Sequence, residues 1–271
     1  MLAAMLAFRF LSRTHNAMRV AGNTTEFIAI TAFMTMAFTV FSYLCMAASG
    51  ALVDRQLEAI DQAMGFDWLA GWHLLRAHPA MFNALRLLYN SLAWQALYLS
   101  ILLGIMGRNG VLRELFWLLF IAAMLTGLIA MFFPAYGPFE TFGLPAHGGF
   151  LPDMKHLKSG FDLHFALDKM TGVICFPSFH TVMALIYAYG FRKTGVIGYA
   201  IAGVNFVMLL SVPFMGGHYL IDMIAGAGVT LVSLAVVKTA PLLWRRFNAG
   251  YASPVSVAAC GDAYSADAPS R

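Results

Sequence analysis

Charge is what this sequence has least of: 11% of its 271 residues are Asp, Glu, Lys or Arg, against 60% that are hydrophobic. A soluble domain carries roughly 25% charged residues, so the scarcity excludes an ordinary water-soluble enzyme and indicates a chain embedded in lipid. Cysteine is nearly as scarce. Cys45, Cys175 and Cys260 show no CxxC or metal-type spacing, so neither a disulfide nor redox chemistry is expected. The net charge of +4 does not require nucleic acid or another acidic partner; in a membrane chain it reflects basic residues gathered in loops on one side. No cleavable leader is expected, because residues 1–10 are apolar but short, carry Arg9 and have no charged region before them. Internal repeats are lacking too.

Long apolar runs are what the chain has instead. Six of them, at 27–52, 82–106, 111–133, 176–191, 195–214 and 219–243, are read as membrane spans, each crossing needing roughly 20 residues. The loop charges orient them. With the N-terminus inside, Arg9, Arg13, Arg19, Arg108, Arg113, Arg192, Lys193, Lys238, Arg245 and Arg246 fall on the inner side, opposed only by Glu26 and Glu114 before the tail. Asp54, Glu58, Asp61, Asp67, Glu140, Asp153, Asp162 and Asp168 fall outside. That distribution obeys the positive-inside rule in this orientation and breaks it in the reverse one. The expectation is an all-α, six-transmembrane-helix bundle with a cytoplasmic N-terminal segment (1–26), a membrane catalytic domain (27–247) and a disordered cytoplasmic tail (248–271). Its membrane would be a bacterial inner membrane or the equivalent.

Two outer segments are more than connections. Within 54–78, Leu57, Ile60, Met64, Trp68, Trp72 and Leu75 recur at three- and four-residue steps, while Asp54, Arg55, Glu58, Asp61 and Gln62 take the other side. This pattern predicts an amphipathic helix in the interface, tryptophans at headgroup level, with a bend at Gly65. The loop of residues 134–173 is long and rich in proline and glycine, which in a compact domain points to function or disorder.

Two polar clusters interrupt the apolar pattern: Cys175-Phe176-Pro177-Ser178-Phe179-His180 and Gly216-Gly217-His218-Tyr219-Leu220-Ile221-Asp222. One descending and one ascending helix separate them, so six spans bring both to the outer face at one depth. His218 and Asp222 are four apart and share a helical face. A buried carboxylate needs a partner, and one bonded to an imidazole nitrogen raises the basicity of the other nitrogen, making it a better nucleophile. His180 is then placed to protonate a leaving oxygen. Ser178, Phe179, Gly216 and Gly217 lie where helices are expected to start, and unpaired N–H groups at a helix N-terminus seat a phosphate. The three outer lysines, Lys155, Lys158 and Lys169, are candidates to supply positive charge. A metal site is the competing reading, since His218 and Asp222 have ligand spacing and His180 could be a third ligand, but no carboxylate-rich surroundings are evident. His147, His156 and His164 in the outer loop, His73 and His78 beside the interfacial helix, and His15 are left unassigned.

These residues resemble a known group. Pro177-Ser178-Phe179-His180 is similar to the Pro-Ser-Gly-His motif of the type 2 phosphatidic acid phosphatase superfamily, and the stretch from Ser211 to Asp222 has the spacing of its Ser-Arg-x5-His-x3-Asp motif. The resemblance implies a metal-independent reaction with no cofactor: His218 attacks phosphorus, Asp222 orients it, His180 protonates the leaving group, and a phosphohistidine passes to water or an acceptor hydroxyl. Val212 stands at the usual phosphate-binding arginine, Phe179 replaces the glycine, and no Lys-x6-Arg-Pro motif occurs. These departures resemble the inositol phosphorylceramide synthase branch, with motifs similar to Phe-Pro-Ser-Phe-His and His-Tyr-x2-Asp. A phosphodiester carries one negative charge where a monoester approaches two, which suits the loss of a cation.

The expected partners are membrane lipids and a lipid phosphate or phosphodiester substrate. Transfer of a phosphoinositol-like head group and simple hydrolysis of a lipid phosphate or isoprenoid pyrophosphate both remain open. So does a proton-coupled transporter, although its relay residues would lie near mid-membrane on broken helices.

Overall fold

The computed structural model describes residues 16–146, 150–160 and 169–251, and among them only helices, turns and irregular segments occur. In chain order the helices are α1 (Asn16–Ala47), α2 (Asp54–Ala63), α3 (Trp68–Ala77), α4 (Pro79–Ile105), α5 (Asn109–Phe132), α6 (Pro138–Thr141), α7 (Phe150–Ser159), α8 (Phe179–Phe191), α9 (Val196–Leu209), α10 (Val212–Gly216) and α11 (Leu220–Tyr251). Four helices are long and apolar enough to cross a membrane, over Thr24–Ala47, Pro79–Ile105, Asn109–Phe132 and Leu220–Ala240. They make this an integral membrane protein. The fourth and fifth expected spans are shorter: α8 has 13 residues and α9 has 14, each about 20 Å long against a hydrocarbon core of roughly 30 Å. The helix of the fourth run begins only at Phe179, after Pro177. That of the fifth ends at Leu209, before a separate short helix with Pro213 in its first turn. The tail from residue 252, residues 1–15 and the loop positions His147, Asp162, His164 and Asp168 lie outside the described residues.

Helix α8 is the centre of the bundle, packed against α4, α5, α9 and α11, while α1 lies against α4 and α5. Apolar residues surround α8 on all sides, as a helix with no solvent face requires. Val182 and Ile186 meet Leu103, Leu118, Ala122 and Met208 in one buried core. Outward, the long helices present Phe33, Trp94, Ile105, Phe132 and Leu231, a surface that water would penalise and lipid would not.

Segment 54–78 folds as two helices broken at Gly65 (φ 78°), so the expected bend is there. Its faces differ from expectation. Ile60 and Met64 are exposed, whereas Leu57 and Asp61 are buried. Trp68, Trp72 and Leu75 are buried as well, packed with Phe82, Phe139 and Met215. The tryptophans therefore anchor α3 to the protein, and Trp68 Nε1–H donates to the Pro213 carbonyl at 3.0 Å. The carboxylates turn inward because they find unpaired peptide N–H groups there. Asp54 accepts from Tyr136 N (2.9 Å) and Gly137 N (2.7 Å), and Asp61 accepts from Leu220 N (2.7 Å) and Ile221 N (2.9 Å). Two acids seven residues apart lie on one helix face, so α2 is stapled at both ends.

The 134–173 loop is structured where it is described. Leu151, Met154 and Leu157 form the buried stripe of α7, which packs on α1, and Tyr43 donates its hydroxyl to Asp153 at 2.5 Å. The Asp61 staple yields a stability prediction. Asp61→Ala leaves two peptide donors at the start of α11 without their acceptor and should destabilise the protein by about 2–4 kcal/mol. Reversible unfolding in mixed micelles measures this, and exposed Gln56→Ala should change stability by less than about 0.5 kcal/mol.

Candidate active site

The two polar clusters meet at the ends of α8 and α11. Asp222, in the first turn of α11, is fully buried, and one oxygen, Oδ2, receives three donors: His218 Nδ1 at 3.3 Å, Tyr219 N at 2.9 Å and Cys175 Sγ at 3.2 Å. An ionised carboxylate only accepts, so the His218 proton sits on Nδ1 and Nε2 keeps its lone pair. The Asp222 main chain also binds the other cluster, its carbonyl accepting from Ser178 N at 3.0 Å. Gly226, one turn further along α11, makes room for that contact, since a Cβ there would stand 2.6 Å from the Ser178 carbonyl oxygen.

His180, in the first turn of α8, lies with its ring centroid 6.2 Å from that of His218. Its Nδ1 is 3.2 Å from the Tyr89 hydroxyl, and the two rings stack at 4.4 Å. Tyr89 comes from α4 and nothing in its apolar surroundings marks it in the sequence. Both histidines, Tyr89 and Cys175 line a cavity of about 230 Å³. The other walls are apolar, including Phe38, Ile174, Met183 and Met215, apart from a stripe of hydroxyls, Thr35, Thr39 and Ser42, on α1. Each of those hydroxyls donates back to its own helix, to Thr31 O, Thr35 O and Thr39 O, which leaves their oxygens free to accept from a ligand.

The candidate phosphate-binding residues divide. Phe179 and Gly216 line the cavity, and Ser178 and Gly217 do not. Ser178 is the N-cap of α8, buried, its oxygen accepting from Thr181 N (3.3 Å) and Thr181 Oγ1 (3.2 Å). Gly216 and Gly217 do not open the last long helix as expected. They close α10, with Gly217 left-handed (φ 66°) at its end, and α11 starts only at Leu220. Asp61 already holds the first two N–H groups of α11, those of Leu220 and Ile221, so these two are not open to a phosphate. Burial pushes the Asp61 carboxyl above the ordinary carboxylate value, and the two N–H bonds pull it back.

The lysines lie elsewhere. Lys155 pairs with Glu140 at 2.7 Å. Lys158 donates to Ser49 O (2.8 Å), Ser49 Oγ (3.1 Å) and Gly50 O (2.5 Å), just beyond the end of α1, where burial lowers its ammonium below the usual lysine value. Lys169 is exposed. None of the described residues lining the cavity is Lys or Arg. Val212, at the position of the usual phosphate-binding arginine, is fully buried in the apolar core and does not line the cavity. Among the described residues, Cys175, His218 and Asp222 bring potential metal-binding atoms together, and His180, considered above as a third ligand, is not one of them. His73, His78 and His156 are exposed.

A family model described as the PAP2 superfamily matches residues 55–236, a span that includes both polar clusters. No curated protein and no solved structure matches the chain.

Gly216 supplies a direct test of this geometry. A Cβ there would stand 2.7 Å from His218 Cδ2, 3.0 Å from the Tyr89 hydroxyl and 3.2 Å from His218 Nε2, inside the space where a reacting group would sit. Gly216→Ala should lower kcat/KM by about 100-fold or more while the melting temperature in detergent holds. Gly228→Ala, where a Cβ meets nothing within 4 Å, should leave activity unchanged.

Proposed function

This chain belongs to the PAP2 superfamily, and from that premise we propose that it is a six-span membrane phosphoesterase acting on a lipid-linked phosphodiester through a phosphohistidine on His218. The observation that carries the reading is the His218–Asp222 pair, level with His180 on a cavity whose described walls hold no cation. Nε2 of His218 forms the bond to phosphorus as the bond to the leaving oxygen breaks. Asp222 steadies the positive charge that develops on the ring. With Tyr89 as the donor in its 3.2 Å bond to Nδ1 of His180, the proton of that ring sits on Nε2, available to the leaving oxygen. In the second half, an acceptor O–H gives its proton back to His180 and its oxygen takes phosphorus from His218.

Peptide N–H groups at the first turn of α8, those of Phe179 and His180, have no partner within the helix. They suit an oxyanion of one charge better than a monoester approaching two. The hydroxyl stripe of Thr35, Thr39 and Ser42 suits hydroxyl groups on the substrate, which favours transfer of a phosphoinositol-like head group to a lipid alcohol over plain hydrolysis. Proton-coupled transport fits less well, because the trio lies at helix starts. The reaction reads as independent of metal, with both termini cytoplasmic and the cavity on the other face.

Purified enzyme offered a panel of lipid phosphates and phosphodiesters separates the outcomes. Appearance of a transferred head group supports the transferase reading; release of inorganic phosphate from monoesters alone would replace it with a lipid phosphatase. His218→Ala should abolish turnover in a protein that still inserts and folds, and full activity in that variant would refute the nucleophile. Tyr89→Phe should lower kcat by about 10-fold or more with little change in KM. Activity should survive EDTA, and its loss there would revive a metal mechanism.

A further inference from the structure

Cys175 has no part in the reaction above, yet its sulfur borders both members of the catalytic pair. Sγ lies 3.2 Å from Asp222 Oδ2 and 3.9 Å from His218 Nδ1, and those two atoms are 3.3 Å apart. These distances define a triangle whose centre is about 2.0 Å from each corner, close to the 2.0–2.3 Å bonds that zinc makes to oxygen, nitrogen and sulfur. The second carboxylate oxygen, Asp222 Oδ1, is buried without a partner among the described residues, so the site has an acceptor to spare for a fourth bond. Both Cys175 and His218 line the cavity, which gives an ion a way in.

From this juxtaposition we propose that Cys175, His218 and Asp222 form an inhibitory site for zinc or a similar borderline-soft divalent cation. Thiolate and imidazole select such ions over magnesium or calcium, which prefer all-oxygen sites. Binding releases the thiol proton and the Nδ1 proton of His218. The inhibition rests on the phosphohistidine reading: with Nδ1 coordinated and Asp222 neutralised by the ion, the imidazole loses the carboxylate that raises the basicity of Nε2. The binding itself stands independently of it. The outer face exposes this pocket to whatever zinc that compartment holds, so zinc would act as a reversible brake on lipid head-group chemistry.

Cobalt(II), a coloured stand-in for zinc, tests the site without substrate. Added to purified protein in detergent, it should bind one ion per chain with a thiolate-to-cobalt charge-transfer band, which added zinc displaces. Cys175→Ser should lose the band, His218→Gln should weaken binding by about 10-fold or more, since losing a direct ligand costs at least what losing an outer-shell partner does, and Cys45→Ser with Cys260→Ser should keep it. No band in the parent protein, or an undiminished band in Cys175→Ser, overturns the site. In turnover, micromolar zinc should inhibit reversibly, with chelator restoring activity, and Cys175→Ser should need about 10-fold or more extra zinc for the same inhibition of its own rate. Cobalt binding as predicted, combined with turnover indifferent to zinc, would refute the brake while leaving the site. Inactivity toward every lipid substrate alongside the cobalt signal would count against the phosphohistidine reading instead.

Discussion

A buried carboxylate with too few neighbours is among the more expensive things a protein can contain, and Asp222 determines how one end of this molecule is built. Its Oδ2 gathers the His218 imidazole, the Tyr219 peptide and the Cys175 thiol, and its backbone carbonyl takes the Ser178 peptide. One residue thereby joins α11 to the start of α8, two segments more than forty residues apart. Removing a partner from a buried charge typically costs about 3–5 kcal/mol, so the arrangement is held tightly. The same bonds fix the His218 ring with Nε2 directed away from the carboxylate. Stability and chemistry here come from the same hydrogen bonds.

A pair of acids on α2 extends the principle. Asp54 and Asp61 on α2 cap the 136–137 turn and the first residues of α11. The turn that carries His218 and Asp222 is thus held from the outside by one carboxylate and from the inside by another. Tyr219, between the pair, donates to Asp54 at 3.3 Å and shares a 2.6 Å bond with Thr141. An α2 that merely floated in the headgroups could not impose this order. Its aromatic partner α3, wedged among Phe82, Phe139 and Met215, keeps the clamp in place.

The sequence carries the trio His180, His218 and Asp222 clearly, because hydropathy and loop charge suffice to bring two distant motifs to one end of a bundle. Helical spacing alone pairs His218 with Asp222. Other features depend on information that a one-dimensional pattern lacks. The inward faces of Asp54 and Asp61 were hidden because Leu57, Ile60 and Met64 fit an apolar stripe equally well, and the N–H groups that attract the acids lie some 80 and 160 residues away. Tyr89 is one aromatic among many in an apolar run until α4 brings it against His180. Lys158 reads as a free outer cation, but three oxygen acceptors beyond the end of α1 claim it. Gly216-Gly217 looks like a helix start from composition, and left-handed Gly217 makes it a helix end.

The cavity that results is small, largely apolar and, over its described walls, without a cation. Electrostatic stabilisation in such a space must come from peptide dipoles and hydroxyls, which act strongly where water is excluded. That favours a substrate of low charge and makes the histidine nucleophile the central claim. Rapid quenching of the enzyme with a phosphodiester donor labelled at phosphorus tests it most directly. The account predicts an acid-labile, alkali-stable label on His218 that is absent from His218→Ala and builds up when the acceptor alcohol is withheld. Label on another residue, or steady turnover with no covalent label at any quench time, would contradict it.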